Sequence, residues 1–125
     1  MHRIFVFAAT CLLGLTAIGS LASARDGFIL KCPPNNGECE YTRIPAPSGE
    51  MRWYSQVYVE GNGDLGRVRV GSRGQCQNIC DGHPQCVLAE YYYGPETRSN
   101  MCNMFSFVPQ LRRNREGDAQ VGLYR

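Results

Sequence analysis

Hydrophobic and polar residues along the chain change their rhythm three times. From Ile4 to Ile18 the residues are almost continuously apolar, broken by Thr10, Gly14 and Thr16. Later, period-two alternation takes over. In Trp53 to Val59 (WYSQVYV), Val57 and Val59 fall on one face and Tyr54 and Tyr58 on the other, which predicts a strand that opens a sheet. Val68 and Val70 alternate with Arg67 and Arg69 in a second two-faced strand. The rhythm then turns helical: Ser72, with Gln75 three residues on, forms a capping box that predicts a helix of about two and a half turns, closed by Gly82, His83 and Pro84. Cys86 to Tyr93 (CVLAEYYY) is rich in β-branched and aromatic residues. The polar loop GPETRSN returns the chain to a second apolar run, MCNMFSFV. Tyr41 to Gly49, with two prolines, predicts an extended linker or edge.

Sulfur sits on both layers of this helix and hairpin. Cys76 and Cys80, four apart, project from one helix face with Cβ atoms about 5–6 Å apart, against the roughly 3.5–4.5 Å that a disulfide requires. Each must therefore pair elsewhere. The simplest connection staples the helix to the sheet twice, Cys80 to the nearby Cys86 and Cys76 to Cys102. Cys32 and Cys39 enclose PPNNGE, a turn-rich loop, and pair by elimination.

The run CQNICDGHPQCVLAEYY…CNMF resembles the core of the PAN/apple family, with Cys-x3-Cys on a helix, a third cysteine opening an aromatic strand and a fourth on the next strand. In that family the first helix cysteine joins the late strand and the second joins the strand opener, the same pairing as above. The resemblance extends to Glu60–Ser72 as a Gly- and Asp-rich lead-in and to Val121–Tyr124 as a closing strand. It implies an α+β, disulfide-stapled domain with one helix packed on an antiparallel sheet. A C-terminal cysteine, which ties the chain ends in the modules of plasma proteins, is missing here.

The apolar start, with His2 and Arg3 before it and Ala22-Ser23-Ala24 after it, predicts a secretory signal peptide over residues 1–24. Its removal takes Cys11 with it and leaves six cysteines, an even number suited to an oxidising compartment. The expected organisation is thus a signal peptide at 1–24, an N-terminal extension with a local disulfide loop at 25–52 and the PAN/apple-like domain at 53–125. The expected location is secreted, extracellular or periplasmic, with no membrane attachment once the leader is gone.

The charge is +2, with Lys31 as the single lysine. This near balance, together with the leader, argues against nucleic acid as a partner. Cys76, Cys80, His83 and Cys86 have the spacing of a zinc site, but a metal there would strand Cys102, so disulfides are expected and no metal or other cofactor. His83 is the only histidine after the leader, which leaves almost nothing from which to build a nucleophilic catalytic group, and no enzyme is expected. Glu90 is the local anomaly, a carboxylate among hydrophobic and aromatic residues. Parity places it with Tyr92 on an outward face, either as a solvated residue or as a carboxylate beside an aromatic plate that grips sugar. Val87, Ala89, Tyr91 and Tyr93 take the opposite, core-facing side. Arg67, Arg69 and Arg73 are either a solvated edge or a patch for sulfated or carboxylated ligands. Trp53 and Tyr54 are either a stacking platform or core.

The expected function is a secreted, non-enzymatic binding module for a carbohydrate or glycosylated surface through Arg67, Arg69, Arg73, Glu90 and Tyr92. The alternative partner is an extracellular protein, for an adhesive, regulatory or inhibitory factor.

Overall fold

A computed structural model describes residues 25–45 and 49–125. The predicted leader at 1–24 lies outside the described residues, as does 46–48 of the proline-rich stretch. The elements are β1 (Gly27–Lys31), β2 (Gly37–Glu38), β3 (Glu40–Ile44), β4 (Met51–Ser55), β5 (Val57–Val59), β6 (Gly66–Arg69), α1 (Arg73–Asp81), β7 (Leu88–Gly94), β8 (Ser99–Phe105), β9 (Leu111–Arg113) and β10 (Gln120–Tyr124). They form an α+β fold with one helix among the described residues and antiparallel sheets ordered β4-β10-β7-β8-β6, β2-β9-β5 and β1-β3. No helix among the described residues is long and apolar enough to cross a membrane.

The helix begins where its capping box requires. Ser72 Oγ accepts from the Gln75 N–H of the first turn at 3.1 Å, and Gln75 Oε1 reaches back to accept from the N–H of Gly71, the residue before the cap, at 2.6 Å. It ends at Gly82, whose N–H returns to the Asn78 carbonyl. Its buried residues are Cys76 and Cys80, and they are its covalent anchors: Cys76 is bonded to Cys102 and Cys80 to Cys86, while Cys32 is bonded to Cys39. The Cys76–Cys102 bridge closes a 26-residue separation, which on chain entropy stabilises by about 3–4 kcal/mol.

Both faces of the five-stranded sheet are covered. On the helix side Ala89, Cys102, Met104 and Tyr124 pack with Val70 and the helix cysteines. On the other side Leu88, Phe105, Val121 and Leu123 meet Val57 and Val59 of β5, Leu111 of β9 and Leu30 of β1. Full burial of each such aliphatic side chain contributes about 1.5–3 kcal/mol.

Two expectations change. The predicted strand from Trp53 to Val59 is two strands in two different sheets, because Gln56 takes a left-handed φ of 60° and turns the chain off β4 before β5 begins. The proline-rich stretch, expected as an extended linker or edge, is in its first part the edge strand β3, paired along its whole length with β1. Tyr93, expected in the core, is 47% exposed.

Trp53 is packed rather than presented. It lies against the helix-side core and donates from Nε1 to Gln77 Oε1 at 3.1 Å. It crosses β10 opposite Gly122, where any Cβ would lie 2.5 Å from Met51 Sδ and 3.1 Å from Trp53 Cδ2. Tyr54 packs on the other core and accepts from the Leu30 N–H.

Candidate functional site

Strand alternation puts Leu88, Glu90 and Tyr92 on the sheet face opposite the helix, as the parity of the sequence suggests. Glu90 is not solvated there, however. It is 5% exposed, because β5 folds back over it from the turn at Gln56. The Val59 N–H donates to Glu90 Oε2 at 2.9 Å, and Asn103 Nδ2, from the facing position on β8, donates to Oε1 at 3.2 Å. Burial pushes the Glu90 carboxyl above its ordinary range, and the bonds from Val59 and Asn103 pull it back only in part.

Asn103 holds more than Glu90. Its Nδ2 also donates to the Gly61 carbonyl at 3.1 Å, and its Oδ1 accepts from the Gly63 N–H at 2.6 Å. The loop between β5 and β6 is thereby tied to the sheet. Gly63 lies so close to β8 that a Cβ there would stand 1.9 Å from the Met104 carbonyl oxygen. One amide therefore fixes both the carboxylate and the loop beside it.

Above Glu90 opens a concavity of about 390 Å³. Its lining includes Tyr58, Tyr92 and Tyr93 as aromatic walls, Asn62, Asn103 and Asn114 as amides, and Arg67, Glu90 and Asp118 as charged groups. Arg67 reaches across from β6 and donates from its guanidinium to the Tyr92 hydroxyl at 3.1 Å. Three of the five expected binding residues, Arg67, Glu90 and Tyr92, thus meet in one place.

The other two do not line it. Arg69 is exposed on β6. Arg73 stands at the helix start, where its guanidinium lies 5.4 Å from the Trp53 ring centroid and donates to Gln120 Oε1 at 2.8 Å. The arginines are therefore not one patch. Sequence reasoning missed Asn103, although it carried the same signal as Glu90, a polar residue inside an apolar run. Asn62, Asn114 and Asp118 come from polar loops that hold no comparable signal.

Chemically, each oxygen of Glu90 accepts one hydrogen bond from the protein, and a carboxylate oxygen has capacity for more. Glu90 thus offers the concavity an acceptor for hydroxyl or amine donors, beside the aromatic rings of its walls. The four cysteines of the zinc-like stretch and its partner strand are all locked in disulfides. Among the described residues no group of histidine, cysteine and carboxylate side chains is arranged to hold a metal.

A model of the PAN domain family matches residues 50–124. No curated protein and no solved structure matches the chain.

Proposed function

The chain belongs to the PAN domain family, and from that premise we propose that the concavity over Glu90 is a binding site for a glycan or glycosylated surface. Modules of this family in general bind proteins or carbohydrates and are non-catalytic. Three disulfides in so small a chain also suit an extracellular, oxidising setting.

The observation that carries the reading is a nearly buried carboxylate with spare acceptor capacity, fixed by Val59 and Asn103 beneath a wall of tyrosines. Hydroxyl pairs meet Glu90 and the amides, and a sugar's C–H face meets Tyr58, Tyr92 or Tyr93. Arg67 adds a guanidinium at the rim, so an acidic substituent is accommodated there rather than at the floor.

The test is a glycan array that includes sulfated and acidic sugars, probed with oxidised protein at low and high salt. Saturable binding to a defined set of glycans, reduced by Tyr92→Ala, supports the reading. A blank array from correctly folded protein overturns it in favour of a protein partner. Because Asp118 lines the same concavity as Glu90, each retained glycan is also incubated with the protein and chromatographed. Cleavage would replace the binding module with a hydrolase.

A further inference from the structure

A second concavity, of about 220 Å³, adjoins the first and is lined by Gly94, Pro95, Glu96, Thr97 and Met101. It shares two residues with the larger one, Arg67 and Tyr92. These are the hydrogen-bonded pair, so the wall between the two spaces is a single contact between β6 and β7.

The strand between them shows how the spaces are related. Arg67 pairs in register with Asn103 of β8, and Tyr92 pairs with Met101 of the same strand. The contact therefore runs diagonally over β8, passing between those two residues. Asn103 lines the larger space on one side of it and Met101 the smaller on the other. Two positions apart on one strand face is about 7 Å. One strand thus underlies both spaces, and the Arg67–Tyr92 contact crosses it.

The two spaces differ in chemistry. The larger carries the Glu90 and Asp118 carboxylates, the amides and most of the tyrosines. The smaller offers Pro95 and the Met101 thioether as apolar contacts, with the Glu96 carboxylate on its exposed turn. Its Thr97 hydroxyl is already engaged with the Gly94 carbonyl and the Ser99 hydroxyl.

We propose that the two concavities are one groove that takes two successive units of an oligosaccharide. The donor-rich unit sits over Glu90, its neighbour lies against Pro95 and Met101, and the linkage crosses the Arg67–Tyr92 contact. This rests on the glycan reading above and deepens it from a site for a sugar to a site for a chain of at least two sugars.

Calorimetric titration tests it, using oxidised protein and three series of one to four units: β1,4-linked glucose, β1,4-linked N-acetylglucosamine and α-linked mannose. In a series that binds, the second unit should improve Kd by about tenfold, with little further gain from the third and fourth. Glu96→Trp, a change at an exposed turn position that fills the smaller space, should bring the affinity for the dimer down to that for the monomer. Equal affinity for one and two units overturns the proposal while leaving the glycan reading standing, and so does a dimer gain that survives Glu96→Trp. Affinity still rising about tenfold with each of the third and fourth units overturns the count of two. Binding of no member of any series overturns this inference, while the glycan reading is decided by the array.

Discussion

Glu90 shows how much one side chain can be asked to hold. Its two oxygens accept from Val59 and Asn103, and Asn103 in turn ties down Gly61 and Gly63, so the carboxyl and the loop beside the site are parts of one network. Because burial raises its pKa, the folded protein keeps the Glu90 proton to a higher pH than the unfolded chain does. The stability linked to that proton is whole below the ordinary carboxylate value and is lost as pH rises through the raised one. Melting temperature followed by circular dichroism from about pH 4 to about pH 8 should decline through this window, and Glu90→Gln should flatten the decline. The variant should also melt lower at acid pH, since an amide nitrogen must face one of two donors; an unchanged slope would remove Glu90 from the account. Asp64 works with the opposite sign at lower pH, where bonds from the Ser106 hydroxyl and N–H depress its pKa. The arginines separate at this scale too. Arg67→Ala should weaken binding of an array-positive glycan by about tenfold, the loss of one charge-assisted hydrogen bond, whereas Arg69→Ala should change it by less than about twofold. Equal losses in the two variants would restore the single arginine patch.

Elements with a strong period were legible in the sequence, and elements without one were not. The helix was readable from Ser72, Gln75 and the glycine after Asp81, and the hairpin from two apolar runs around a polar loop, because each rests on local chemistry. For the cysteines, i,i+4 geometry excludes only Cys76 with Cys80; the partners Cys86 and Cys102 came from the simplest stapling of helix to sheet, which the family resemblance also implies. The small sheet escaped notice for a physical reason: β2 has two residues and β9 three, too few to show a pattern, and the alternation of β5 reads as a continuation of β4. Without that sheet, the Glu90 face reads as solvent. The break at Gln56 escaped for a related reason, since glutamine carries no signal for a left-handed φ. Tertiary pairing of β5 with β9 imposes that turn. For the helix, Ser72→Ala should cost about 1 kcal/mol, measured by urea unfolding. A change indistinguishable from zero would mean that the two disulfides hold the helix in place without its cap.

At the scale of the molecule, the family match at 50–124 covers less than the structure uses. Leu30 of β1 lies in the core between the sheets, β2 pairs with β9, and the Cys39 N–H donates to the Leu111 carbonyl. Farther forward, the Arg25 guanidinium donates to the Cys80 and Cys86 carbonyls at 3.0 and 2.9 Å, and to the Asp81 carbonyl at the helix end. It also stacks 4.6 Å from the Tyr124 ring centroid. A fragment starting at Glu50 should therefore be less stable than the chain from Arg25, by at least the roughly 2–3 kcal/mol of losing one buried leucine, with equal urea midpoints as the contrary result. The helix has one more consequence. The six cysteines among the described residues can pair in fifteen ways, and among the shortest-range errors is Cys76 with Cys80. A formed helix holds those two sulfurs on one face yet too far apart to join, so this mistake is open only to a chain whose helix has melted. The backbone thus acts as a proofreader of its own oxidation: the segment that needs the bridges is also the template that excludes a wrong one.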